Sequence, residues 1–394
     1  MTIVTTIQGL QKRTPLGVLQ LRADLGRLGV AIAGIVFADV LMLIQLGFSA
    51  ALYDSNTRLH TAIEADAIIL SRQGDTLVDT RTFPRRRLFQ ALAVPGVADA
   101  TPMNVTVTSW TTPEAEGEAN VMVIGVDPNR VPLALPGLSE AKKTQLKLND
   151  RLIFDRQSRG DYGAALEKLD QGETVITELN DHQIEVVGTY TVGASFAANG
   201  SVLVSDRTFE RIFPGRSPTA SSLGLLQFHG NADPEVVLAE LKQQLPEDIY
   251  ILSKAEFIEF EKTYWQNNTA VGFVFTLGTV MGFVVGAVIV YQILATDVKD
   301  HLPEYATLKA MGFKQQYLLG VVVEEAIVLT IIGFFPGLLA SMGLYALTRR
   351  ATSLPITLTV SRAVLVFVLT AVMCLISGAI AARQLESADP ADLF

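Results

Sequence analysis

Four histidines, His60, His182, His229 and His301, and the single cysteine, Cys374, are the softest ligands in this 394-residue sequence. They form no HExxH and no Cys/His group at zinc spacing, so no metal site is expected. The glycine-bearing stretch "GASFAANGS", Gly193–Ser201, lacks the lysine with which a GxxxxGK[ST] loop reaches phosphates. No GxSxG elbow presents a serine nucleophile. No catalytic or cofactor-binding residue is therefore expected, and the chain is not expected to act as an enzyme or to hydrolyse ATP itself. Asp39 raises a different question. It lies near the middle of an apolar run, where an ionised carboxylate costs about 2.5–3.5 kcal/mol on insertion scales. No other long apolar run holds an acid or base at mid-depth, and Glu324 and Glu325 fall near the end of theirs. Asp39 is thus expected to be a structural, hydrogen-bonded group facing protein rather than part of a proton relay.

The elements that must position these residues begin with four apolar windows. The chain is 49% hydrophobic and 18% charged, which is more apolar than a soluble protein. Leu28–Ala51, Val271–Ala295, Tyr317–Leu347 and Ala363–Ala382 each reach the roughly 20 residues that cross a bilayer. The third is over-long and contains Pro336, which predicts a kink or an end that emerges from the membrane. The first follows a 27-residue lead and outruns a signal-peptide core, so it reads as an uncleaved anchor. Lys12, Arg13, Arg22 and Arg27 against Asp24 place the lead, 1–27, in the cytoplasm. Alternation then puts 52–270 outside, 296–316 inside, 348–362 outside and the tail, 383–394, inside. Arg349, Arg350 and Arg362 on the outer loop run against the rule, but the first helix usually dominates.

Residues 52–270 hold no bilayer-length run. Leu52, Leu59 and Ile63 continue a helical spacing outward as a stalk, and "AIIL", "NVTVTSW", "NVMVIGVDP", "IEVVGTYTVG" and "GSVLVS" read as strands. "DPEVVLAELKQQL" and "SKAEFIEFEKTYWQNN" read as helices. The expected fold is an α-helical membrane protein with four transmembrane helices and a large α+β domain between helices 1 and 2. Cys374 lies in the fourth window, so that domain can form no internal disulfide. The net charge of −9 gives no footing for nucleic acid, and "RTFPRRR", Arg81–Arg87, reads as a solvated surface in preference to an anion or partner site. Gly278, Gly282 and Gly286 in the second window, and Gly333, Gly337 and Ser341 in the third, recur every four residues. Such ridges let helix backbones approach closely.

Between the second and third windows, "DVKDHLPEYATLKAMGF", Asp297–Phe313, reads as a short helix at a membrane surface. Pro303 suits its first turn and Gly312 the left-handed residue that ends it. Leu302, Tyr305, Ala306, Ala310 and Phe313 fall on one arc, with Lys309 inside it. This narrow stripe suits a protein groove better than a lipid surface. Leu302 and Phe313 are the expected anchors, with Leu308 and Met311 on the opposite side.

The order of one span, a domain of roughly 220 residues and three further spans, with "PEYATLKAMGF" between the second and third, resembles the permease subunits of the MacB/FtsX-like ABC transporters. Glu304, Leu308, Lys309, Ala310, Met311 and Gly312 match the coupling-helix motif of that family, and "ADPADLF" resembles its tail. "TPLGVLQLRADLGRLGVAIAGIVFADVLMLIQLGF", "VVGTYTVGASFAANGSVLVSD" and "YQILATDVKDHLPEYATLKAMGF" resemble the DevC group, permeases of the cyanobacterial exporter of heterocyst-envelope glycolipids. The resemblance implies a homodimer in the cell inner membrane, in contact with membrane lipid. It implies as partners a DevA-like ABC ATPase that binds the ATP, a DevB-like membrane-fusion protein and a TolC-like outer-membrane channel. Motion of the ATPase would pass through the spans to the periplasm and expel a glycolipid or other envelope cargo. The alternative is an FtsX-like mechanotransmitter that regulates a periplasmic enzyme, against which the size of the outer domain argues.

The sidedness is testable. In a Cys374→Ser background, cysteines at Ser221 and Gln315 should differ in reaction with an impermeant thiol reagent in intact cells; equal labelling overturns the topology.

Overall fold

The computed structural model describes residues 24–113, 117–352 and 354–383. Most of the lead and the "ADPADLF" tail lie outside the described residues. Among the described residues, four helices are long and apolar enough to cross a membrane: Leu25–Asn56, Ala270–Asp300, Tyr317–Thr352 and Val360–Ala382. With the large α+β domain between the first and second, this is the architecture of a membrane protein. The chain separates into two compact units, one of residues up to Ser49, Phe273–Thr348 and Ile356 onward, the other of Ala50–Gly272 with Arg349–Pro355.

In the helical unit both small-residue ridges pack on the first apolar helix. A β-carbon at Gly278 would sit 2.5 Å from the Gln45 amide, one at Gly282 3.1 Å from Met42, and one at Gly286 2.7 Å from Ala38 while also striking Met373. On the third helix, a β-carbon at Gly333 would come 2.6 Å from Ile35 and one at Gly337 3.0 Å from Asp39. Ser341 is fully buried and donates to the Gly337 carbonyl at 2.8 Å, so its hydroxyl is satisfied within its own helix. Between lipid-soluble helices the drive to associate is close packing rather than water exclusion, and missing side chains supply it. The third helix, Gln315–Thr352, continues through Pro336, and its last residues, Arg349–Thr352, group with the α+β unit. At 1.5 Å per residue a helix of 38 residues outruns roughly 30 Å of hydrocarbon.

The α+β unit is built on eleven strands: β1 Ala67–Ser71, β2 Phe83–Pro84, β3 Val97–Thr111, β4 Glu118–Val126, β5 Arg151–Asp155, β6 Val175–Leu179, β7 His182–Tyr190, β8 Ser201–Ser205, β9 Ala220–Ser221, β10 Leu223–Phe228 and β11 Ile249–Ser253. Nine of them form one sheet in the order β11-β1-β10-β3-β4-β8-β5-β7-β6, and β2 pairs with β9. The 15-residue β3 carries the sheet from one half to the other. Its first part pairs antiparallel with β10, from Val97 to Met103, and its second with β4, from Asn104 to Thr111. At the far end β6 returns to β3 through Trp110 opposite Leu179, so the second half curls on itself around Trp110, Phe154 and Tyr162. The first half is covered by helices Arg86–Leu92 and Pro234–Gln244, whose Leu88, Val237 and Leu241 pack on Ile69, Leu226 and Ile251.

Helix starts follow local chemistry. Ser253 accepts from the Glu256 N–H at 3.1 Å while the Glu256 carboxylate accepts from the Ser253 N–H at 2.7 Å, a capping box for helix Lys254–Asn267. Asp233 caps Pro234–Gln244 with Pro234 in the first turn. Ser221 is fully buried, so the exposed Ser217 and Lys314 replace Ser221 and Gln315 as labelling positions.

The ridges generate a contrast. Gly286→Leu should cost about 1–3 kcal/mol by overpacking and shift the detergent-solubilised protein toward aggregation in size-exclusion melts. Gly343→Ala, with nothing within 4 Å of its added carbon, should leave the melt unchanged or raised.

Candidate functional site

The short helix between the second and third apolar helices spans Leu302–Ala310, with Pro303 in its first turn. It ends as its residue types require. Gly312 has φ +89°, its N–H donates to the Lys309 carbonyl at 3.0 Å, and the Phe313 N–H donates to the Leu308 carbonyl at 3.1 Å. This pair of bonds around a left-handed glycine satisfies carbonyls that the helix end leaves open.

The arc expected to enter a partner's groove is divided. Tyr305 is buried against Val298, Leu318, Val321 and Val322, with Leu302 and Leu308 partly buried beside it, and Ala306 is buried as well. Leu302 therefore packs on the protein's own helices and does not serve as an outward anchor. Met311 and Phe313 are exposed at 63% and 42%, and Phe313 leans on Tyr317 with ring centroids 4.9 Å apart. Pro303, Glu304 and Thr307 are exposed as well, and Lys309 is half-buried. The physical reason is the turn: the left-handed residue redirects the chain after Met311, so Phe313 no longer follows the helical phase that placed it beside Leu302.

Asp39 is fully buried among the apolar helices. The Thr370 hydroxyl of the fourth helix lies 2.5 Å from its Oδ1 and 2.8 Å from its own Val366 carbonyl, and its one proton can go to either. Gly337 of the third helix lies against its β-carbon. The carboxylate thus joins three helices at one point.

A buried polar group in the α+β unit was not anticipated from the sequence. Asp155, at the end of β5, accepts N–H groups from Val192 at 3.0 Å, Gly193 at 2.7 Å and Gln157 at 3.1 Å. Tyr190 donates to Ser201 at 2.7 Å beside it. Burial raises the Asp155 carboxyl above its ordinary value against the pull of these N–H groups and of Arg58. Burial also lowers the Arg58 guanidinium, which donates to the Val192 carbonyl at 3.0 Å. The glycine-bearing stretch noted above is the loop that wraps this group. Gly193 has φ +100°, and β-carbons at Gly193 and Gly200 would strike Arg58 and Ser158. Asn56 accepts from the Ala197 N–H of the same loop at 3.3 Å, and Arg159 ties Ser195 and Asn199 to the Thr352 carbonyl. Next to it lies a cavity of about 30 Å³ lined by Ser55, Asn56, Ser195, Ser201 and Glu261, room for a water rather than a ligand. Glu261 is buried, accepts from the Leu77 N–H at 2.9 Å and Trp265 Nε1 at 2.8 Å, and faces His60 Nε2 at 3.3 Å. The basic run Arg81–Arg87 dissolves into internal pairs: Arg87 with Asp248 at 2.8 Å and Arg85 with Glu210 at 3.4 Å.

Comparison with known proteins adds a family. Residues 268–390 match the family described as FtsX-like permease C-terminal. The matched segment holds the helices from Ala270 onward and the segments between them. Among solved structures, the periplasmic region of MacB from Actinobacillus actinomycetemcomitans is similar at 12% identity and a TM-score of 0.35, over 53% of this chain and 96% of that one. The extracellular domain of the noncanonic ABC-type transporter YknZ from Gram-positive bacteria is similar at 14% identity and a TM-score of 0.32, over 44% and 90%. No curated protein sequence matches the chain.

Two substitutions test these sites. Asp39→Asn keeps an acceptor for Thr370 and should leave assembly intact. Asp39→Leu adds bulk against Gly337 and should cost about 1–3 kcal/mol, read as a lower melting temperature. Asp155→Asn places an amide N–H₂ opposite backbone donors and should destabilise by about 1–3 kcal/mol in denaturant unfolding. Because the folded state holds the Asp155 proton to higher pH than the unfolded one, this group's contribution to stability falls as pH rises through its folded value. The Asn variant should lose that slope.

Proposed function

We propose that this chain is the permease subunit of an ABC-type exporter and transmits the motion of a separate ATPase across the membrane. The observation that carries the reading is the capped helix Leu302–Ala310, joined to an exposed Met311 and Phe313 and placed between two membrane-length helices of an FtsX-like permease domain. A short surface helix with an exposed aromatic at its end suits docking, because interface energy concentrates in a few large side chains. On this reading 296–316 faces the cytoplasm and 52–270 the periplasm, in an inner-membrane homodimer. The ATPase is of the DevA-like class, with a DevB-like fusion protein and a TolC-like channel completing a tripartite path for glycolipid or another envelope cargo. The helices Leu25–Asn56 and Gln315–Thr352 each carry residues of both units, which supports transmission along the chain.

The exposure of Met311 and Phe313 supports placing the docking face there. A Met311→Ala, Phe313→Ala permease should insert and assemble but co-purify with its ATPase at least tenfold less than the unaltered chain. Leu302→Ala should instead lower permease stability. Gly312→Val has to hold a β-branched residue at positive φ, a strain of about 1 kcal/mol or more, and should keep ATPase binding while misdirecting the chain into the third helix. Undiminished co-purification of the double variant overturns the docking assignment.

A further inference from the structure

A group of charges at the end of the helical unit is used by none of the sites above. Arg27, in the second residue pair of the first apolar helix, donates from Nη1 to Asp297 Oδ1 at 3.0 Å and from Nη2 to Asp300 Oδ2 at 2.5 Å. Asp24 lies 3.6 Å from the same guanidinium. Asp297 and Asp300 close the second apolar helix, one residue before His301, the N-cap of the helix Leu302–Ala310. The His301 ring adds a contact to Asp297, Nδ1 to the backbone carbonyl at 3.1 Å and to Oδ1 at 3.7 Å. From the third apolar helix, the fully buried Glu325 faces Asp297, with Glu324 next along the chain. Neither Glu325 oxygen reaches a donor among the described residues, nor does Asp297 Oδ2.

Among the described residues, Asp24, Asp297 and Asp300 share the Arg27 guanidinium, and the His301 ring lies against Asp297. Exposed ion pairs contribute little, but the Asp297 side chain is only 7% exposed and that of Arg27 25%, where solvent screens less. A planar guanidinium can hold two carboxylates on adjacent turns at once, which an ammonium does less well. If Arg27 withdraws, the nearly buried Asp297 loses the guanidinium that meets its Oδ1, and a buried carboxylate left without a cation is costly. The arrangement therefore favours contact between the first helix and the base of the short helix.

We propose that Arg27 is a positioning residue for coupling. Its paired bonds to Asp297 and Asp300 latch the start of the Leu302–Ala310 helix to the first apolar helix. A displacement of the short helix then reaches the first apolar helix directly, as well as through the chain that leads into the second and third. The role in coupling rests on the docking reading above; the latch itself does not.

Two measurements separate them. The first is a double-mutant cycle on the solubilised permease alone, with Arg27→Gln, Asp297→Asn and both, read by melting temperature. Each single variant should melt lower, and the double should melt no lower than the worse single. Additive losses mean there is no latch. The second uses the complex with its ATPase and an environment-sensitive label on Ser217→Cys in a Cys374→Ser background. Arg27→Gln alone leaves the nearly buried Asp297 without its cation and is prone to misassembly, so Arg27→Gln is combined with Asp297→Asn. This permease should assemble and bind the ATPase normally, yet its label response to ATP should fall at least fivefold. The exchange Arg27→Asp, Asp297→Arg should restore the response. An unchanged response in the Gln/Asn permease, or an exchange that restores nothing, overturns the proposal. Retained ATPase binding by the Met311→Ala, Phe313→Ala permease overturns the docking reading instead, and leaves the melting cycle to decide the latch.

Discussion

Helices in hydrocarbon gain little from burying apolar surface, so what they can gain depends on how closely their backbones approach. Here that approach is concentrated on one element. Gly278, Gly282 and Gly286 from one helix and Gly333 and Gly337 from another lie against the first apolar helix at Gln45, Met42, Ala38, Ile35 and Asp39. Each glycine removes a side chain where the facing helix presents one, and dispersion contacts over the resulting seams replace the hydrophobic drive available in water. The first helix is thereby the hub of its unit. The burial of Asp39, the join it makes with Thr370 and the approach of Arg27 to Asp297 all depend on where those seams hold it.

Polar groups inside the protein follow a second rule, that a buried donor or acceptor must find a partner or cost free energy. Asp39 is met by a hydroxyl that already has a carbonyl to bond, so Thr370 is satisfied whichever way it turns. Asp155 collects two backbone N–H groups from the loop at Val192 and Gly193 and a third from Gln157 in its own turn. Its carboxylate fixes the path of residues 191–194, and the glycine at 193 is needed because the chain crosses Arg58 there at positive φ. A loop that reads as a failed phosphate site is thus a clasp on the helix that continues from the first membrane window, built from the same small residues for a different reason.

The short helix shows how one residue's backbone decides a surface. A left-handed glycine closes it with two bonds, and the reversal carries Phe313 off the helical arc on which sequence spacing places it. The inward side is then Tyr305, Ala306 and Leu302, and the outward apolar group is Met311 with Phe313.

Local chemistry was legible from residue order alone. The four apolar windows, the helix after Ser253, the Asp-Pro start at 233–234 and the glycine that ends the short helix each depend on neighbours within a few residues, and the strands β1, β3, β4, β7 and β8 carry enough β-branched residues to read as strands. β5 and β10 were not legible, because "RLIFD" and "LGLLQF" are buried nearly throughout and so show no alternation that distinguishes them from buried helix. β6 was missed for the opposite reason: Ile176 is exposed and Thr177 buried, the reverse of what their polarity suggests. Which helix the glycine ridges meet, which carboxylates Arg27 and Arg87 pair with, and which side of the short helix faces out were decided by tertiary structure. Each rests on groups 160 or more residues apart, or on a turn that changes helical phase, and no spacing along the chain records either.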